Sequence, residues 1–210
     1  MASDKQLPKK KKRRYLRSKI TQNLIINKAE EVFLEKGYSK TTITLISKKA
    51  GVGYGTVYSH FKGKDDLLSK IIDKAMEGFF TLLKDIPDPD STEVFHRTLR
   101  KKIYDNLKTA SENREIMMVF NKALGLSEEV NNHWNKTLEQ FINVTMETAS
   151  VARNNKVIKD DLDLELSIKA FCFTIEKFIW EVVFKPETDI KKLSEVLSRL
   201  YLCGLCGQLP

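Results

Sequence analysis

Cysteine is scarce in this chain, three in 210 residues, and an odd number argues against a secreted disulfide scaffold. No apolar run approaches the roughly 20 residues that cross a bilayer. The N-terminus is charged from Asp4 onward and holds no apolar stretch resembling a secretory signal, so a cytoplasmic protein is expected. Histidines number three, and neither His96 nor His133 has a partner at metal-ligand spacing. A glycine-rich nucleotide loop is missing, as is any Ser/His/Asp or Cys/His arrangement. Cys203 and Cys206 form a CxxC with no second pair for zinc and no βαβ surroundings for redox chemistry. No enzyme, no metal and no cofactor is expected. Nor does any segment alternate apolar and polar residues as a strand does, which leaves helices.

What is present is a globular composition, 41% hydrophobic, at a length that allows one large domain or two small ones. The charge is unevenly spread. Residues 1–64 hold 16 Lys and Arg against 4 acids, a balance of +12, and residues 65–210 hold 20 against 24, a balance of −4. A basic front on a mildly acidic remainder points the front at a polyanion. Lys9-Lys10-Lys11-Lys12-Arg13-Arg14 precedes any apolar periodicity. Like-charge repulsion predicts an extended, flexible arm over residues 1–17, able to follow a DNA backbone with Arg14 and Arg17. A nuclear localisation signal and a solubilising tail are competing readings of the same run.

The helix pattern begins next. Ile20, Leu24, Ile25, Ala29, Val32 and Phe33 recur at helical spacing and predict a first helix over 18–36, ended by Gly37. A second helix is expected over 44–50, capped by Thr42 or Thr44, with Leu45 and Ile46 inward and Lys48 and Lys49 outward. Gly51 makes a tight turn. A third helix over 54–60 points Val57 and Phe61 inward and leaves Tyr54, Thr56, Tyr58, Ser59 and His60 on the outer face and rim. Two short helices on a glycine turn are the unit that many proteins lay into the major groove of DNA. Gly55 would let the third helix approach a phosphate or base edge. Lys64 opens a fourth helix, where the helix dipole adds to its attraction for phosphate.

Ala29, Phe33, Gly37-Tyr38, Thr42-Ile43, Ile46, Ala50-Gly51-Val52, Gly55-Thr56-Val57-Tyr58, His60-Phe61, Lys64 and Leu67 together resemble the signature of the tetracycline-repressor (TetR/AcrR) family of bacterial regulators. The match covers about residues 18–68; beyond it only a helical layout is shared. The resemblance implies an all-α protein: a three-helix helix-turn-helix domain over 18–64, then a helical ligand-binding and dimerisation domain over 65–210. It implies phosphate contacts from Thr56, Tyr58, His60 and Lys64, with Tyr54 among the base-facing residues. With Thr42, Lys48, Gly55, Arg14 and Arg17 these complete the candidate DNA contacts. Gly53 stands where the family often has a serine cap, and Ser47 where it has alanine.

In the larger domain the apolar periodicity predicts helices over 65–84, 91–110, 114–124, 127–154 and 163–184 and a last one from Thr188 or Asp189. Ile86-Pro87-Asp88-Pro89-Asp90 stops the first of these, and Asp90 with Glu93 would cap the next. Phe173 and Trp180 point away from the broad face of Phe171, Cys172, Ile175, Phe178, Ile179, Val182 and Val183, so that helix must be covered on two sides. The last two helices are expected to pair with a second copy. Phe79, Phe80, Met117, Phe120, Trp134, Phe141, Phe173 and Trp180 are candidate walls of an effector pocket, and their character suggests a largely apolar ligand. The expected function is a ligand-responsive repressor on a palindromic operator, with double-stranded DNA, an effector and a second copy as partners and no membrane. A sequence-tolerant DNA-coating protein, and a small-molecule binder without regulatory DNA binding, are the alternatives.

Overall fold

The computed structural model describes residues 9–77 and 91–207. Among these there are nine helices and no strand, in two compact units, Met1–Ile71 and Ile72–Pro210.

In the first unit α1 spans Lys9–Lys40, α2 Ile43–Ala50 and α3 Tyr54–Tyr58, and α4, Lys64–Ala75, begins. Ile25, Ala29 and Phe33 of α1 meet Ile46, Val57, Leu67 and Leu68 in a core with essentially no exposure. Each of these side chains larger than alanine contributes about 1.5–3 kcal/mol on burial. Gly37, at φ 71 and ψ 170, breaks the helical geometry inside α1 and turns Tyr38 into the core. Thr42 caps α2 by accepting from the Leu45 N–H at 3.2 Å, and Gly51 closes it at φ 65 in the left-handed region.

Three expectations fail in this unit. Residues 9–17 are helical rather than extended. Lysine and arginine are good helix formers, and each like-charge contact along a helix opposes it by only about 0.2–0.5 kcal/mol, so α1 continues upstream. Ile20 is 68% exposed and Leu24 is also exposed, because burial on α1 starts only at Ile25. Leu45 faces solvent; Ile43 and Ile46 take the inward positions.

In the second unit α5 spans Thr92–Glu112, α6 Arg114–Leu124, α7 Glu128–Asn154, α8 Leu164–Phe184 and α9 Ile190–Cys206. Side-chain oxygens of Ser91, Ser127, Asp163 and Asp189 cap α5, α7, α8 and α9. Ser91 thus holds the place expected of Asp90. α5 packs on α8 and α9, and α7 on α8. Ile103, Leu107, Met117, Phe120, Val130, Ile175, Val183 and Leu202 form the core. The last turns of α4 join this unit: Asn113 Nδ2 donates to the Ala75 carbonyl at 3.2 Å, and His133 Nε2 lies 2.7 Å from Asp73 Oδ1.

Candidate nucleic-acid interface and effector cavity

The candidate recognition element is α3, five residues long. Gly53 supplies its N-cap with no side-chain hydrogen bond, as the missing serine implies. Val57 is fully buried and pins α3 to the core, which turns Tyr54, Gly55, Tyr58 and Ser59 outward. The Tyr54 hydroxyl donates to that of Tyr58 at 3.3 Å, and their rings stand 4.9 Å apart. The neighbouring Tyr54 hydroxyl, then desolvation, holds the Tyr58 phenol above its ordinary pKa. Thr56 and His60 are half-buried at the rim. Lys48 is exposed on α2, as is Thr42, whose hydroxyl caps that helix. Arg17 is exposed on α1. Arg14 has its backbone in α1, and its side chain lies outside the described atoms.

Two lysines are engaged elsewhere. Lys49 pairs with Glu35 and, at 3.3 Å, with Glu31, so it braces α2 against α1 instead of facing DNA. The Glu35 hydrogen bond, then that of Glu31, raises the Lys49 pKa against partial desolvation. Lys64 donates to the Tyr38 carbonyl at 3.1 Å with its ammonium 4.1 Å from the Tyr38 ring centre. The Tyr38 hydroxyl in turn donates to Asp65 Oδ1 at 2.8 Å. Asp65 and Asp66 fill the first turn of α4 and oppose the attraction that its dipole was expected to exert on phosphate. Sequence reading missed both engagements; the only signal was the presence of acids at positions 31, 35 and 65.

The second unit contains a cavity of about 60 Å³ walled by four helices. α5 contributes Phe95, Thr98, Leu99, Lys102, Ile103 and Asn106, α7 Phe141, Thr145, Thr148 and Ala149, α8 Ile168, Phe171 and Ile175, and α9 Leu205. A smaller one, about 20 Å³, lies between Met76, Trp134, Thr137, Leu138, Phe141, Glu176 and Ile179. Phe141 lines both and Trp134 the smaller. Trp134 donates to Glu176 Oε1 at 2.9 Å, and Trp180 to the same oxygen at 3.3 Å. Phe120 meets the Trp134 ring edge-on at 5.6 Å, and Met117 is fully buried core. Phe173 is 50% exposed on α8 and lines neither cavity. Phe79 and Phe80 lie outside the described residues. The α5 wall was missed, although its 95, 98, 99, 102, 103, 106 spacing is one helical face. Burial pushes the Cys172 thiol up to about 12, which leaves it protonated and unreactive at neutral pH.

A helix-turn-helix head with an exposed tyrosine-bearing helix, on a chain whose other unit encloses an apolar cavity, defines a class: DNA-binding regulators that respond to small molecules. Comparison with known proteins agrees. Residues 25–71 match the family model of bacterial regulatory proteins, tetR family. The chain is 25% identical over 183 residues to the fatty acid metabolism regulator protein of Bacillus subtilis, covering 86% of this chain and 93% of that one. It is 38% identical over 60 residues to an HTH-type transcriptional regulator of Staphylococcus aureus, 29% of this chain and 32% of that one. Among solved structures, the transcriptional regulator FadR of Bacillus subtilis in complex with stearoyl-CoA has a TM-score of 0.68 at 25% identity, over 87% of this chain and 98% of that one. A SmeT–triclosan complex shares the fold at a TM-score of 0.71 and 21% identity, over 91% and 97%. Residues 25–71 thus form a DNA-binding head of the tetR family of bacterial regulatory proteins, and the chain is a ligand-responsive, DNA-binding transcriptional regulator similar over most of its length to such regulators. No described helix is long and apolar enough to cross a membrane.

Proposed function

We propose that this regulator is a cytoplasmic repressor that acts as a homodimer without enzymatic activity. A small, largely apolar effector releases it from a palindromic operator. The observation that carries this reading is the larger cavity of the second unit, whose lining is mostly apolar. A pocket of that kind selects an apolar body, and the B. subtilis FadR bound to stearoyl-CoA supports the choice. The dimer reading rests on Leu166, Phe173 and Phe184 of α8 and Val196 and Leu200 of α9, large apolar side chains left exposed on the last two helices. A two-fold dimer puts its α3 helices into major grooves one turn, ~34–36 Å, apart.

Coupling follows from chain continuity. α4 begins in the head, and its last turns are bonded to Asn113 and His133; Met76, just beyond them, lines the smaller cavity. An effector that displaces this wall shifts α4 and with it the spacing of the two heads. DNA must then weaken the effector by the same factor.

The test is selection from a random duplex library at near-physiological salt, followed by titration of the selected duplex with apolar compounds. Two inverted half-sites about a turn apart, and release by a compound that binds the second unit, are expected. Binding with no enriched sequence refutes the reading in favour of DNA coating. An operator affinity that such a compound leaves unchanged refutes the effector mechanism.

A further inference from the structure

Asn106 stands out on the wall of the larger cavity. It is 3% exposed, and its Oδ1 has no hydrogen-bond partner among the described residues. Buried carboxamides are normally paired, so an orphaned acceptor on a cavity wall asks for a partner from within the cavity. Two threonines of the same wall do not compete for one. The hydroxyls of Thr145 and Thr148 donate to the Phe141 and Val144 carbonyls of their own helix at 2.7 and 3.2 Å. They show the cavity little more than methyl groups.

We infer that Asn106 reads a hydrogen-bond donor on the effector: the ligand class is an apolar body carrying a hydroxyl or N–H, not a plain hydrocarbon, ether or ester. This rests on the reading that the cavity holds the effector. Aliphatic or aromatic walls such as Ile103 and Phe171 take the body, and Asn106 Oδ1 fixes its orientation. Hydrophobic contact alone separates molecules of equal size poorly, whereas a buried acceptor left unpaired rejects them.

The experiment compares two isomers, 1-octanol and heptyl methyl ether, which share composition and size but differ in the O–H. Calorimetric titration of the full-length protein is expected to show octanol binding roughly fivefold more tightly, the discrimination that one hydrogen bond supplies. In Asn106→Leu the two should bind alike, with the ether no weaker than in wild type. Equal binding of the isomers to wild type overturns the inference, as does a preference that survives in Asn106→Leu or, should that variant fold poorly, in Asn106→Ala. Binding of neither isomer to wild type overturns the apolar-effector reading itself and the inference with it.

Discussion

Tyr58 and Lys48 are both exposed on the head, yet they should report different physics when removed. The Tyr58 hydroxyl is a neutral phenol at physiological pH, so it offers a phosphate a hydrogen bond and no charge. Tyr58→Phe should weaken operator binding about fivefold, the worth of one hydrogen bond, and leave the salt dependence unchanged. Lys48→Ala should weaken all DNA sequences alike and flatten the slope of log affinity on log salt by about 0.9 for each phosphate no longer neutralised. Fluorescence anisotropy across a salt series checks both; a slope altered in Tyr58→Phe, or unaltered in Lys48→Ala, would be incompatible with these roles. Residue types in the head were legible because glycine turns and aromatic positions obey local rules. The partners of Lys49 and Lys64 were not, because each ion or π interaction joins residues 14 or more apart along the chain.

Elements were read more securely than the packing between them. The end of α6 and the starts of α7 and α8 fall where expected, since Gly125, Ser127 and Asp163 act through their own neighbours. The cavity walls escaped prediction because the large aromatics attracted the assignment, while α5 presents a mixed face of Thr, Lys and Asn beside its Phe, Leu and Ile. α5 and α9 also meet at His96, 3.5 Å from Ser198 Oγ. Desolvation, then Arg100 and Arg199, holds the His96 pKa below its ordinary 6.5, with Glu195 opposing. The unfolded chain therefore takes up the proton first. Stability that His96 contributes above 6.5 is lost as pH falls below that value. A proton NMR titration should place the His96 midpoint under 6.5, and Arg199→Ala should raise it. A midpoint that the substitution leaves in place would show that Arg199 exerts no field there.

For the molecule as a whole, the proposed dimer assigns the association state to the exposed α8 and α9 residues. In the proposed dimer, Leu200→Glu turns Leu200, 63% exposed on α9, into a charge within an apolar seam, and the two-fold interface would place that charge twice. Sedimentation velocity should show wild type as a dimer and the variant as a monomer at micromolar concentration. Operator affinity should fall at least 100-fold, since a lone head holds one half-site; a variant that remains dimeric would move the interface elsewhere.

The bracing of Lys49 by Glu31 and Glu35, and of Lys64 by Tyr38, bears on how the regulator finds its site within a genome. Competing random sequence retains a protein through cations alone. On the proposed DNA-binding role, committing these two to its own helices would lower the head's hold on bulk DNA without touching the groups on α3 proposed to read an operator. Short stays on wrong sequence would be the return, and fewer molecules per cell would then suffice to keep one operator occupied.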